Sequence, residues 1–322
     1  MIDIPNKDRF IFDLPLRVVD IIKEYQDTGK LSINTNAEGI CLNAAKFYPV
    51  LDYICDKFSI DKSQVKIVTN NIEEYHPVYK ILPQHDHWII NCKPIFNYAL
   101  NAKNQNLKHL GCFMGKANWH RLIMGSWLHT NYKDKTLLTL HYNPQFEKHR
   151  IDCGVNDVNF FAPVELGAVA EFMKNCPVTL DEGFINPTIG PPTHYNIIHQ
   201  YENIFADLVV ETYVSGASFF PTEKTLRPII AKTPFIVMGP VGYLSNLKRM
   251  GFKTFDTWWD EGYDGYSDYD RLRQIKTLLD NIFKLTDYEL HSMLIDMRET
   301  LEYNRNHLQK IDSFSVKLNE QK

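Results

Sequence analysis

The chain has 322 residues, with 35 Lys and Arg against 39 Asp and Glu, a net charge of −4, and 44% hydrophobic and 23% charged residues. That length accommodates two domains with separate cores, and the composition is that of a folded globular protein. The mild acidity excludes a global attraction to nucleic acid or to anionic membranes, and leaves only a local basic patch open.

The opening MIDIPNKDRF carries charge throughout, unlike a secretory leader, and no uninterrupted apolar run reaches bilayer length. Cys41, Cys55, Cys92, Cys112, Cys153 and Cys176 stand singly, with no CxxC pair. They predict buried thiols in a reducing compartment, and so a place in a cytoplasm, either the cell's own or a host's.

In chain order, residues 47–58 predict an amphipathic helix, 65–69 a strand and 88–90 a second strand. The polar stretch NAKNQNLK follows at 101–108, and we place a domain boundary there, giving domains 1–104 and 105–322. Strands are then expected at 110–114, 137–141, 208–211 and 234–238, with helices at 118–131, 164–174 and 222–232 between them. The 208–211 and 234–238 runs are almost wholly apolar, as in parallel strands buried on both faces. Residues 177–195, with four prolines and two glycines, read as a long ordered loop. Two helices close the chain over 270–308, the first capped by Asp270 and the second opened by a Thr286–Glu289 capping box. The alternation predicts an α/β protein of two Rossmann-like domains with mainly parallel sheets.

The richest stretch is FFPTEKTLRPIIAKTPFIVMGP, residues 219–240. Thr222 is a good helix N-cap, which puts Glu223 and Lys224 in the first turn, where unpaired N–H groups and the helix dipole attract phosphate. Lys224 adds a point charge suited to a pyrophosphate, and Glu223 an acceptor for ribose hydroxyls. The strand that follows ends at Gly239, a bend where backbone can approach a ligand. The plainer alternative is a helix cap beside a solvent-facing lysine. Pro228 fits awkwardly, because it removes a backbone bond early in the helix.

The order Glu211, Thr222-Glu223-Lys224, helix, PFIVMG resembles the donor-binding half of the family 10 fucosyltransferases and related GT-B glycosyltransferases. The resemblance covers roughly residues 205–240 and weakens back to 108. It implies a GT-B-like arrangement with an N-terminal acceptor domain and a C-terminal nucleotide-sugar domain. It also implies that Glu223 and Lys224 hold the ribose and phosphates of a nucleoside-diphosphate sugar. The spacer 212–221 differs from the family's, and Thr212 stands where the family has asparagine, so the identity of the sugar is not carried over. A second element, GCFMGKANWHRLIMGSWL at 111–128, is similar to the start of the C-terminal GT-B domain. There a glycine turn and a helical arginine approach the diphosphate, roles that fall to Gly115, Lys116 and Arg121. Neither GxGxxG nor a P-loop is present, which argues against a dehydrogenase or a simple NTPase.

Six basic residues (Lys224, Arg227, Lys232, Lys248, Arg249, Lys253) against one acid span 222–253, and six acids with no Lys or Arg span 255–270. That asymmetry suits a phosphate on one side and a hydroxyl-rich sugar on the other, or else two solvated loop faces. Asp268-Tyr269-Asp270 has the DxD form of metal-dependent transferases, but it sits where a helix begins, with Ser267 or Asp270 expected as the cap, which favours a capping role. His85-Asp86-His87 could offer two metal ligands from one strand face, with no third ligand in evidence. No metal or cofactor is therefore assigned; the donor is a substrate. An inverting transfer needs a base for the acceptor hydroxyl, and Asp86 and Glu74 rank first among Glu73, Glu74, His85 and Asp86.

These readings make the chain a metal-independent glycosyltransferase with an unspecified acceptor: glycan, protein or nucleic acid. Two rivals stand beside it: a non-catalytic binding or structural protein on a degenerate GT-B fold, and a sugar transferase acting on nucleic acid.

Overall fold

A computed structural model describes residues 1–4, 14–35, 39–84, 96–97, 102–115, 117–141, 166–180 and 197–311. The chain divides into two compact units. One takes the described residues of 1–86 together with Gly216–Phe220, and the other those of 87–215 and 221–312.

The first unit is a parallel sheet of β1 (Ile2–Asp3), β2 (Leu31–Asn34), β3 (Val65–Thr69) and β4 (Lys80–Pro83), in that order across the sheet. Helices α1 (Val18–Thr28) and α2 (Phe47–Lys57) connect β1 to β2 and β2 to β3. Gly29, at φ 66°, stops α1 and returns its N–H to the Tyr25 carbonyl, a left-handed position that glycine adopts without strain. The core alternates Leu31 and Ile33 with the half-buried Ser32 and Asn34. The Gly216–Phe220 segment, drawn from far along the chain, is sewn into this unit's loops. Ile72 N–H donates to the Phe219 carbonyl (3.1 Å), Phe219 N–H to Asn71 Oδ1 (2.9 Å), and Ser218 to the Gly39 carbonyl.

The second unit is also a parallel sheet, built from β5 (Lys108–Met114), β6 (Thr136–Leu140), β7 (Ile204–Val210) and β8 (Phe235–Met238). Its spatial order is β6-β5-β7-β8. The chain therefore runs outward from β5 to β6 through α3 (Trp119–Tyr132), then crosses back past β5 to lay down β7 and β8. Helix α4 (Leu166–Lys174) precedes β7, and α5 (Glu223–Ile230) joins β7 to β8. Helices α6 (Tyr243–Arg249), α7 (Asp268–Ile282) and α8 (Asp287–Lys310) follow. Every residue of β7 and of β8 is buried, as their continuous apolar character predicts.

The α/β class, the parallel sheets and the closing helix pair agree with the sequence reading. The Thr286–Glu289 capping box is present in both directions. Helix α7 begins at Asp268, and of the two expected caps it is Ser267, not Asp270, that stands at the N-cap position. Pro228 lies inside α5 without ending it. The helix runs to Ile230 and closes with Lys232 at φ 51°, whose N–H bonds the Ile229 carbonyl while Thr233 N–H bonds that of Pro228. The predicted strand at 88–90, the 85–87 cluster, Lys116, Cys92, Cys153 and residues 181–195 of the predicted loop lie outside the described residues. Cys41, Cys55, Cys112 and Cys176 are free thiols. No described helix is long and apolar enough to cross a membrane.

One residue interrupts the apolar face of β7. Asp207 is buried, accepts the Tyr201 hydroxyl on Oδ2 (2.5 Å), and keeps Oδ1 buried with no hydrogen-bond partner among the described residues. Burial pushes its pKa from 3.8 up to about 7, opposed by the charge of Arg227, the Tyr201 hydrogen bond and the charge of Lys103. The folded state thus holds this proton more tightly than the unfolded chain does. Its contribution to stability is complete below about pH 4 and is lost as pH rises toward about 7. Asp207→Asn is expected to flatten the fall in urea midpoint between those two pH values. An unchanged slope would mean that Asp207 is ionised throughout.

Candidate functional site at the carboxyl edge of the second sheet

In an open parallel sheet, ligands bind outside the carboxyl ends of the strands where the strand order reverses, because the helices leaving the two central strands diverge and open a crevice. Among the described residues, only the second sheet has such a reversal, between β5 and β7. The carboxyl end of β5 leads through Gly115 into α3. The carboxyl end of β7 leads to Glu211 and, after the excursion at 216–220, to α5.

Glu211 organises this edge. It is 1% exposed and its carboxylate takes four hydrogen bonds: from Thr222 N–H (3.1 Å), Thr222 Oγ1 (2.7 Å), Thr225 Oγ1 (2.7 Å) and the Tyr243 hydroxyl (2.9 Å). One carboxylate therefore clasps the end of β7 to the first turns of both α5 and α6. Thr222 acts as the predicted N-cap, its Oγ1 accepting from Lys224 N–H at 3.3 Å.

Helix α3 reaches the same strand end. His120 Nε2 lies 3.0 Å from the Glu211 carbonyl, and Arg121 Nη2 donates to the Val210 carbonyl at 3.2 Å. Arg121, Glu211, Thr222, Glu223 and Lys224 thus lie at one edge of the second sheet. Arg121 itself is 3% exposed and ties α3 to β7.

Four observations bear on the residues singled out from the sequence. Lys224 is not a solvent-facing lysine: its side chain is 12% exposed, and its ammonium lies 2.7 Å from Glu223 Oε1 and 3.2 Å from Thr222 Oγ1. Gly239 serves internal packing, since a Cβ there would stand 2.7 Å from the ring of Tyr243, which Glu211 pins. Gly115 is exposed, and a Cβ there would meet nothing within 4 Å, so no close packing within the protein demands a glycine. The run of basic residues is spent mainly on the protein: Lys248 pairs with Asp256 (2.8 Å) and lies 3.6 Å from Glu261, Lys232 pairs with Glu302 (2.8 Å), and Arg227 is buried. Of the acids of 255–270, Asp264 is buried, Glu261 and Asp268 are half-buried, and Asp256, Asp260 and Asp270 are exposed. Asp268 accepts from Ser215 (2.8 Å) and Asp270 pairs with Arg273 (3.2 Å).

Gly239→Ala is expected to cost about 1–3 kcal/mol, because the Tyr243 ring cannot yield without breaking its bond to Glu211. Chemical denaturation would check this, and a neutral result would show that the ring has room to move.

Of the candidate bases, Asp86 lies outside the described residues. Glu74 belongs to the first unit, where it is buried and accepts from Leu42 N–H (3.0 Å), the Tyr48 hydroxyl (2.8 Å) and Asn71 Nδ2 (2.9 Å). Burial raises its pKa, against the pull of those donors. Sequence reasoning missed His120, Thr225 and Tyr243. Thr225 is one turn beyond Thr222, a signal that was available, whereas Tyr243 meets Glu211 only through the fold. Among the described residues, no group of three or more His, Cys, Asp or Glu side chains is arranged to hold a metal. No family model, curated protein or solved structure matches the chain.

Proposed function

We propose that the second unit binds a nucleoside-diphosphate sugar at the β5/β7 edge and that the protein is a metal-independent glycosyltransferase of GT-B type. The carrying observation is the start of α5. Its N-terminus is fixed at the carboxyl edge of the sheet by the Glu211 clasp, with the Lys224 ammonium beside its first turn. Such a helix start favours an anion through its N–H groups and dipole, and Lys224 supplies a mobile positive charge. The Glu211 carboxylate is offset by its four donors. Glu223, 13% exposed, is the acidic group closest to Lys224 and fits the ribose role that the resemblance to family 10 enzymes implies. In this reading Lys224 leaves Glu223 for the diphosphate, freeing the carboxylate for hydroxyl groups. Catalysis then consists of holding donor and acceptor in place and stabilising the departing diphosphate.

The Glu223–Lys224 pair also supports a second reading, a binding protein in which that lysine is permanently neutralised on its own helix. A thermal-shift series with UDP, GDP, ADP and CDP, with and without EDTA, separates the two. One diphosphate is expected to raise the melting temperature, and the chelator to leave that shift unchanged. No response to any of the four would favour the binding protein.

A further inference from the structure

We propose that Gly216–Phe220 is a strap coupling the start of α5 to the Asn71–Glu74 turn, so that whatever steadies one steadies the other. The proposal rests on the reading above only for the ligand that would use it. The chain enters the first unit at Gly216 and returns to the second at Pro221. Both flanks are fixed within the second unit. The Val214 carbonyl accepts from Arg271 Nη1 (2.9 Å), Ser215 Oγ donates to Asp268 Oδ1 (2.8 Å), and Thr222 is held by Glu211.

The strap itself is fixed within the first unit, with Asn71 as the hub. Asn71 is fully buried and accepts Phe219 N–H on Oδ1 (2.9 Å). Its Nδ2 donates to the Ala217 carbonyl (2.9 Å) and to Glu74 Oε2 (2.9 Å). One side-chain amide thus joins the strap to a carboxylate that ranks among the candidate bases. Phe220 is buried against the bare Cα of Gly39, where an added Cβ would overlap its own, and Ser218 bonds the Gly39 carbonyl.

The link back has little slack. A single residue, Pro221, stands between Phe220 and Thr222; it is buried, and its ring fixes φ. Consecutive Cα atoms stay about 3.8 Å apart, so Phe220 cannot move far from its seat without drawing Thr222 off Glu211. Local opening of the strap and of the α5 start is therefore one cooperative event. A ligand that holds the α5 start closed raises the free energy of that event, and by linkage a loosened strap weakens the ligand.

Hydrogen exchange of single amides in the full-length protein, followed by NMR, tests the strap. Phe220→Leu and the milder Ser218→Ala loosen it within the first unit. Without nucleotide, they are expected to speed exchange at Phe219 and Ile72, and also, by about tenfold, at Thr222 in the second. Exchange at Leu208 in β7 should not change, which separates the effect from global unfolding of that unit. In the wild type, any of UDP, GDP, ADP and CDP that protects Thr222 should protect Phe219 and Ile72 as well. Pro221→Gly adds freedom at the single link, so it should keep the protection at Thr222 and lose it at Phe219 and Ile72. Faster exchange at Phe219 with Thr222 unchanged overturns the proposal, as does nucleotide protection confined to Thr222. If no nucleotide protects Thr222 while the loosened variants speed its exchange, the strap stands and the diphosphate reading falls.

Discussion

Glu211→Ala is expected to lower the stability of the second unit by on the order of 3 kcal/mol, among the larger effects of a single substitution. Four donors meet that carboxylate at 2.7–3.1 Å, and all lie in a buried environment. Alanine would leave Thr222 N–H and three hydroxyls without their acceptor, and each such loss costs about 1–3 kcal/mol before relaxation. Glu211→Gln keeps one acceptor oxygen and the volume, and the Thr222 hydroxyl can turn to accept, so it should cost clearly less. Urea unfolding of the two variants measures the difference. Because the clasp also sets the start of α5, the alanine variant should lose any nucleotide response even below its melting temperature. Equal stability of wild type and alanine variant would remove Glu211 as the organiser of this edge.

The second large effect is on function. If Lys224 neutralises the diphosphate, Lys224→Met should lower the rate of transfer by about 10²–10³-fold, corresponding to about 2.7–4 kcal/mol of lost transition-state stabilisation. Methionine preserves the packing of a side chain that is only 12% exposed, so stability should change little. The comparison variant is Glu223→Gln, which releases Lys224 from its ion pair. It should leave diphosphate affinity intact or raise it, while weakening recognition of the intact nucleoside through its ribose. A folded Lys224→Met protein with unchanged diphosphate affinity would sink the assignment and leave the binding-protein reading. Nucleotide affinity should be measured separately from turnover, since the two report ground-state and transition-state contacts.

Local sequence marked several elements of this protein, though not β1, β2, β4, α1 or α6. Continuous apolar runs specified β7 and β8, Thr222 specified the start of α5, and Thr286 with Glu289 specified the start of α8. These signals are short-ranged, because a cap or a buried strand depends on a few neighbouring residues. The excursion of Gly216–Phe220 into the first unit was not legible, because its bonds run to Gly39, Asn71 and Ile72, far away in the chain. The same limit explains Gly239. Its glycine read as an approach for a ligand, and it took the fold to put the Tyr243 ring against it. Lys224 read as a point charge for a pyrophosphate or, more plainly, as a solvent-facing lysine, and only tertiary packing could set its exposure and its pairing with Glu223. Which strand ends meet at one edge depends on the order β6-β5-β7-β8, and that order follows from crossover connections and long-range packing that no single segment encodes.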